Sequence, residues 1–195
     1  MSIDFDKLAG LKGYLRPVEG RKLAELASLV PTGQAIVEIG SYMGKSTCYL
    51  ASGSKGVKVY AVDLWELGNY RARYKNPKAF LAFKKQVADM GLTKKIVAVK
   101  GNSVKVAATW DKPIGLLFID ANHQFEYVKA DYEVWYKFVV PGGRIAFHDY
   151  KNPDYPTVVG VGYFIDQVIK SSSLWEFEGL YHSLYVVRRR TYDSD

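Results

Sequence analysis

Cysteine is nearly absent. Cys48 is the only one among 195 residues, which excludes an internal disulfide framework, a four-cysteine zinc site and a redox pair. A lone thiol of this kind reads as a packing residue in a reducing compartment. Long apolar runs are missing too. Nothing approaches the roughly 18 consecutive apolar residues of a membrane-spanning helix. The opening Met1-Ser2-Ile3-Asp4-Phe5-Asp6 is acidic where a secretory leader is basic. The expected address is therefore cytoplasmic, with no membrane partner. There is no internal repeat, low-complexity tract or Pro/Gly/Ser linker, so one domain over residues 1–195 is expected.

What is present is an ordinary globular composition. Hydrophobic residues make up 48% and charged residues 24%, which excludes wholesale disorder. Lysine and arginine number 27 against 20 acidic residues, a net charge of +7. Such a balance suits an anionic ligand or nucleic acid. The charge is scattered, however. Arg188-Arg189-Arg190 is the densest run, and Lys84-Lys85 and Lys94-Lys95 are pairs rather than stripes.

Strand-like and helix-like hydrophobic periods alternate along the chain. Leu23, Leu26, Ala27 and Val30 mark a helix that Pro31-Thr32-Gly33 ends, so residues 1–33 read as a helical cover. Ala35–Ile39 is a buried strand, Gly40 to Gly44 a turn, and Lys45 to Ala51 the opening of a helix. Val57 to Val62 is a second strand ending at Asp63. Phe80, Phe83, Val87 and Met90 mark a helix stopped at Gly91. Ile96–Val99 and Leu116–Ile119 are further strands, the latter ending at Asp120. Phe125, Val128, Tyr132, Trp135 and Val139 predict a helix terminated by Pro141-Gly142-Gly143. Arg144–Phe147 is a fifth strand, Val161 to Val168 a helix, and two closing strands flank Tyr181-His182-Ser183. Strands alternating with helices imply an α/β fold with a mostly parallel sheet covered on both faces. The closing strands are too near each other for a crossover and are expected to be antiparallel. Their exposed edge offers a route to a homo-oligomer.

Ligands of open α/β sheets bind beyond the carboxyl ends of the strands. That rule selects Glu38, Gly40, Asp63, Asn102, Asp120, His148 and Asp149. The first loop, Glu38 to Thr47, admits three readings. Gly44-Lys45-Ser46 ends like a phosphate-binding loop, but Gly40 and Gly44 enclose three residues instead of four. A dinucleotide fingerprint needs glycine where Tyr42 stands, since pyrophosphate must approach that backbone. The remaining pattern, Glu38-x-Gly40-x-x-x-Gly44, places a carboxylate near the loop. That charge would repel a phosphate but favours an ammonium or sulfonium. A plain glycine turn between strand and helix is the bland alternative.

With Asp63, Gly101-Asn102-Ser103, Asp120 and Pro141-Gly142-Gly143 at the later strand ends, the order of motifs resembles class I S-adenosylmethionine-dependent methyltransferases over residues 17 to 190. Val37 to Thr47, Asp120-Ala121-Asn122-His123 and Phe147-His148-Asp149 look closest to the small O-methyltransferase-like family that includes macrocin and related sugar and antibiotic methyltransferases. The resemblance implies a Rossmann-like, doubly wound seven-stranded sheet with an antiparallel C-terminal strand. It implies S-adenosylmethionine as cofactor, with Glu38, Gly40, Ser41, Gly44 and Ser46 around its methionine end. Asp63 would hold the ribose, Asn102 and Ser103 would lie near adenine, and Asp120 with Ala121 would close the substrate side.

Metal-dependent relatives hold Mg2+ on an Asp after the fourth strand and on an Asp followed by Asn or Asp after the fifth. Asp120 and Asp149 match two of these places, and Tyr150 stands at the third, where a phenol is a poor ligand. His148 is expected to point to the opposite face of its strand. His123 occupies the place of the catalytic base in catechol-type relatives, so His123, Asp120 and Asp149 are the expected catalytic residues. The acceptor implied is a small-molecule hydroxyl of a sugar, phenol or natural product. A nucleic-acid methyltransferase and a nucleotide-binding protein are the alternatives, and a scaffold that has lost activity is a further one. Residues 64–76, with Trp65, Tyr70, Arg71, Arg73 and Tyr74, form a candidate active-site loop.

Overall fold

Seven strands pair into one sheet in the computed structural model, which describes residues 3–65 and 78–191. They are β1 (Ala35–Ile39), β2 (Val59–Asp63), β3 (Ile96–Lys100), β4 (Ile114–Ile119), β5 (Val139–Phe147), β6 (Trp175–Tyr181) and β7 (Leu184–Arg189). Their order across the sheet is β3-β2-β1-β4-β5-β7-β6. The first five run parallel, and β7 is antiparallel to both β5 and β6. This is the mostly parallel, two-faced α/β sheet expected from the alternating periods, and the Rossmann-like, doubly wound seven-stranded arrangement that the resemblance implies. Of the candidate loop at 64–76, Leu64 and Trp65 are described, whereas Tyr70, Arg71, Arg73 and Tyr74 lie outside the described residues.

The two faces of the sheet carry separate cores. Helices α1 (Phe5–Ala9), α2 (Pro17–Ser28), α3 (Lys45–Gly53) and α4 (Ala79–Asp89) cover one face, packing Leu23, Leu26, Tyr49, Leu50 and Phe83 against Ile36, Ala61 and Phe118. Helices α5 (Ser103–Ala107), α6 (Phe125–Trp135) and α7 (Gly160–Phe164) cover the other, packing Val128, Trp135 and Phe164 against Val37, Leu117 and Ile145. Period-two alternation in each strand feeds both cores, so β1 and β4 are buried along their whole lengths. Helices α2 and α3 approach each other closely. A Cβ on Gly53 would fall 2.0 Å from the Ala24 carbonyl oxygen, and one on Gly20 2.5 Å from the Tyr49 ring.

One local reading needs correction here. Pro141-Gly142-Gly143 does not terminate a helix. Helix α6 stops at Trp135, a 3-10 turn spans Tyr136–Phe138, and β5 already begins at Val139. The Pro-Gly-Gly segment is instead a bulge inside β5, where pairing with β4 jumps from Ile114↔Val139 to Leu116↔Arg144. Gly142 takes the left-handed conformation that this bulge demands (φ 77°). The short helices α1 and α5 have only five residues each, too few to register as a period.

The chain leaves β1 for a helix on one face and β4 for a helix on the other. The carboxyl ends of these adjacent strands therefore open into a crevice at the point where the topology reverses.

Candidate active site at the carboxyl ends of the central strands

On the β1–β2 side, each sequence-selected group is held by its own neighbourhood. Glu38 is fully buried. Its carboxyl accepts from Ser46 Oγ at 2.5 Å and from Thr47 Oγ1, tying the end of β1 to the first turn of α3. Burial pushes this carboxyl up to about 7, against the pull of those two hydroxyls. Asp63 organises the loop. Its Oδ2 accepts from the backbone N–H of Ser41 and of Tyr42, each at 2.8 Å, and its Oδ1 from that of Trp65 at 2.6 Å. Ser41 Oγ is buried near Glu38, whose ionised form it favours, and meets hydrogen-bond geometry with no partner among the described residues. Gly44 (φ 88°) enters α3 left-handed, with its α-carbon against the Phe83 ring. Farther out, Asn102 Oδ1 caps α5 by accepting from Lys105 N at 3.1 Å. Ser103 Oγ donates to Asp131, whose carboxyl burial pushes up to about 6.

The β4–β5 side is built differently. Gly40 (φ 91°) lets the β1 loop lie directly on the turn after β4. A Cβ there would be 2.3 Å from the Asp120 carbonyl oxygen and 2.6 Å from Ala121 Cα. Beyond this contact three side chains converge. His123 Nε2 lies 3.3 Å from Asp120 Oδ1 and 3.0 Å from Asp149 Oδ2. One ligand-type atom from each of Asp120, His123 and Asp149 falls within 4.8 Å of the other two. Burial opposes a charge on His123, but its bond to Asp120 and the two carboxylates raise its pKa above the usual imidazole value.

His148 corrects a second expectation. It does not point away from this cluster: its Nδ1 lies 3.0 Å from Asp120 Oδ1 and 3.5 Å from Asp149 Oδ1. Strand pairing ends at Phe147, and Asp149 adopts a left-handed φ of 61°, so the alternation no longer holds. His148 Nε2 meets Glu19 Oε2 of α2 at 3.1 Å. Carboxylates only accept, so an imidazole facing them through both nitrogens is an imidazolium. Burial works against that charge, yet the carboxylates hold the His148 pKa well above the usual value. In return, and again against burial, His148 holds Glu19 and Asp149 down to about 2.

Glu19 went unnoticed in the sequence. It is 1% exposed and also accepts from Ser183 N at 3.0 Å and Ser183 Oγ at 2.7 Å, in the turn between β6 and β7. Its placement after Arg16-Pro17 reads as a helix-start signal, and it does bond Arg16 N at 2.9 Å. That local signal hides its reach to His148, 129 positions away.

Mg2+ fits this set only in part. Two carboxylates are in place, but Tyr150 supplies no third oxygen. Its hydroxyl donates to Asp166 at 2.9 Å and accepts from Lys170 at 2.8 Å, and its ring stacks toward Tyr185. The third donor at the cluster is a nitrogen, whereas Mg2+ prefers oxygen. S-adenosylmethionine fits the crevice better: the glycine loop lies at the strand ends beside Asp63, and its chemistry needs no third oxygen from Tyr150.

A profile for the methyltransferase domain family matches residues 37–150, more than half of the chain. Protein R132 of Acanthamoeba polyphaga mimivirus is 29% identical over 117 residues, 60% of this chain and 51% of that protein. The chain thus spans about half the length of this curated relative, and 13% of the length of a second. Among solved structures, an O-methyltransferase from Bacillus cereus in complex with S-adenosylhomocysteine superposes with a TM-score of 0.67. It is 19% identical, with 96% of this chain and 90% of that one covered. The O-methyltransferase TomG of Streptomyces achromogenes, solved with S-adenosylmethionine, gives 0.64 at 19% identity, covering 91% and 82%. At such identities these structures establish a shared fold.

Proposed function

The chain belongs to the methyltransferase domain family, and from that premise we propose that it transfers a methyl group from S-adenosylmethionine to a hydroxyl oxygen of a small molecule. One observation carries the reading: the Gly40 loop lies directly against Asp120 and Ala121, so the cofactor loop and the Asp120–His123–Asp149 cluster share one crevice. The bound relatives support the choice of cofactor.

Gly40, Ser41, Gly44 and Asp63 hold the methionine and ribose portions. Glu38 and Ser46 act one layer back, fixing the loop to α3. Asn102 and Ser103 border the adenine end, and Ala121 closes the substrate side. When bound, the cofactor supplies an electrophilic methyl group. Asp120 and Asp149, which lie 3.3 Å and 3.0 Å from His123 Nε2, orient that imidazole beside the acceptor hydroxyl, and the cluster takes up the hydroxyl's proton. Catalysis is then mostly positioning of the oxygen in line with the methyl carbon.

The acceptor enters where polar and aromatic groups are accessible. His123 is partly exposed, and Tyr14 stacks on Tyr42 at 5.9 Å beside the loop. The test is turnover with labelled S-adenosylmethionine on a panel of sugar and phenol hydroxyls. His123→Ala should lower turnover by about 100-fold or more while S-adenosylhomocysteine affinity holds. Loss of cofactor affinity in that variant would make His123 a structural residue and contradict the reading.

A further inference from the structure

We propose that the lysines along the outer strand β3, from Lys58 and Lys94 at its start to Lys84, Lys100 and Lys105 at its end, form a docking surface for single-stranded RNA. The inference goes beyond the proposed reaction and does not depend on it.

Charge that looks scattered along the sequence is gathered by the fold. Residues 55–112 hold 13 of the 27 basic residues and 4 of the 20 acidic ones, so the rest of the chain is close to neutral. That stretch builds β2, α4, β3 and α5 at one end of the sheet, where β3 has a neighbouring strand on one side only. Lys58 Nζ donates to the Lys94 carbonyl at 2.5 Å, which places its charge beside Lys94, just before β3. At the other end, Lys84 Nζ of α4 lies 5.0 Å and Lys100 Nζ 5.3 Å from the centre of the Phe80 ring. Lys105 follows on α5, and all five lysines are exposed. The acidic residues described in this region are engaged elsewhere: Asp89 with Lys85 at 2.7 Å, Asp111 with Lys112 at 2.9 Å, and Asp63 with backbone N–H groups. Lys58, Lys84, Lys94 and Lys105 have no carboxylate partner among the described residues.

Edge strands carry lysine to block pairing with another sheet. That accounts for Lys94 and Lys100, but not for Lys84 and Lys105 on the flanking helices. The partner is an anion long enough to meet both ends of β3, whose five residues span about 16 Å. A nucleic-acid strand repeats its charge along such a length. A protein fits less well, because interface cores are apolar and poor in lysine. Here the large exposed apolar side chains, Leu81, Val97 and Val104, stand singly on α4, β3 and α5. Such single side chains give no apolar face to enter a membrane either. Phe80 chooses between strand and duplex. Its half-buried ring, with two ammonium groups beside it, suits an unpaired base and its phosphate. Unpaired bases are the ordinary targets in RNA. Lys100 is the register partner of Asp63 on β2, so at this end the surface runs into the crevice.

The experiment is fluorescence anisotropy of a labelled single-stranded RNA of about 20 nucleotides, titrated with the full chain at increasing KCl. Micromolar affinity at low salt is expected, with a log–log salt slope of about −2 to −3, as for three or four phosphates of a single strand. Lys58→Glu with Lys94→Glu, and Lys84→Glu with Lys105→Glu, should each weaken binding by roughly tenfold or more and flatten that slope. Lys129→Glu with Lys137→Glu makes the same change of charge on α6 and the turn after it, and should weaken binding by less than about threefold. An equal loss in that control pair overturns the proposal by reducing binding to net charge. Absence of binding at low salt overturns it outright. So does tighter binding of single-stranded DNA, duplex DNA, polyglutamate or phosphatidylserine vesicles than of the RNA strand.

Discussion

The two sides of the crevice handle buried charge in opposite ways. On the β1–β2 side, carboxylates are satisfied locally: Glu38 by hydroxyls eight and nine residues on, and Asp63 by backbone N–H groups of the loop it shapes. On the β4–β5 side, Asp120, His123, Asp149 and His148 meet one another, and Glu19 joins them from α2. The first side is a scaffold in which each carboxyl meets neutral hydroxyl or backbone N–H donors. The second concentrates charge that long-range contacts must hold in place, which is where perturbed groups and chemistry tend to coincide.

The sharpest way to break this contrast is to remove the long-range partner. Glu19→Ala strands the His148 charge in the interior and leaves Ser183 without its acceptor. The expected loss is about 3–5 kcal/mol of stability, read by denaturant unfolding. Glu19→Gln, which keeps the shape, should lose less. The same group sets a pH limb. The Glu19 pKa is depressed to about 2 from 4.5, so its contribution is full above about pH 4.5 and falls as pH drops toward 2. That limb should flatten in Glu19→Gln.

Gly40→Ala strikes the seam between the two sides. Its Cβ has no room beside the Asp120 carbonyl, and the backbone there is left-handed. A stability loss of about 1–3 kcal/mol is expected, together with loss of S-adenosylhomocysteine binding in calorimetry. Asp63→Asn should act on the cofactor side alone. It weakens the acceptor of the Ser41 and Tyr42 N–H groups, so S-adenosylhomocysteine affinity should fall about tenfold in calorimetry while stability changes little.

Asp131→Asn should have the smallest effect. Burial raises this carboxyl to about 6, so ionising it costs stability as pH rises from about 4 through 6. The variant should remove that decline and leave methyl transfer near normal. A large activity loss would mean that the Ser103–Asp131 pair reaches the cofactor.

The contrast also explains what could be read in advance. The strands, their ends, the glycine loop and the mostly parallel sheet follow from periodicity and turn chemistry, which are local. So does the selection of Asp120 and Asp149 at the ends of β4 and β5, whereas His123 enters only through the resemblance to a known family, and the order of strands across the sheet is long-range information that no local pattern carries. The inward turn of His148 was not legible, because it depends on the left-handed Asp149 that follows it. Nor was the role of Glu19, because its carboxylate looks like part of a helix start and its partner lies on β5's far end. Pro141-Gly142-Gly143 misled for a related reason: the same residues that stop a helix also make a bulge when a neighbouring strand is there to pair with.

The most direct test of the account is calorimetric titration of the chain with S-adenosylhomocysteine. The account predicts one site per chain with micromolar affinity, lost in Gly40→Ala and retained in His123→Ala. No binding by the folded wild-type chain would contradict it.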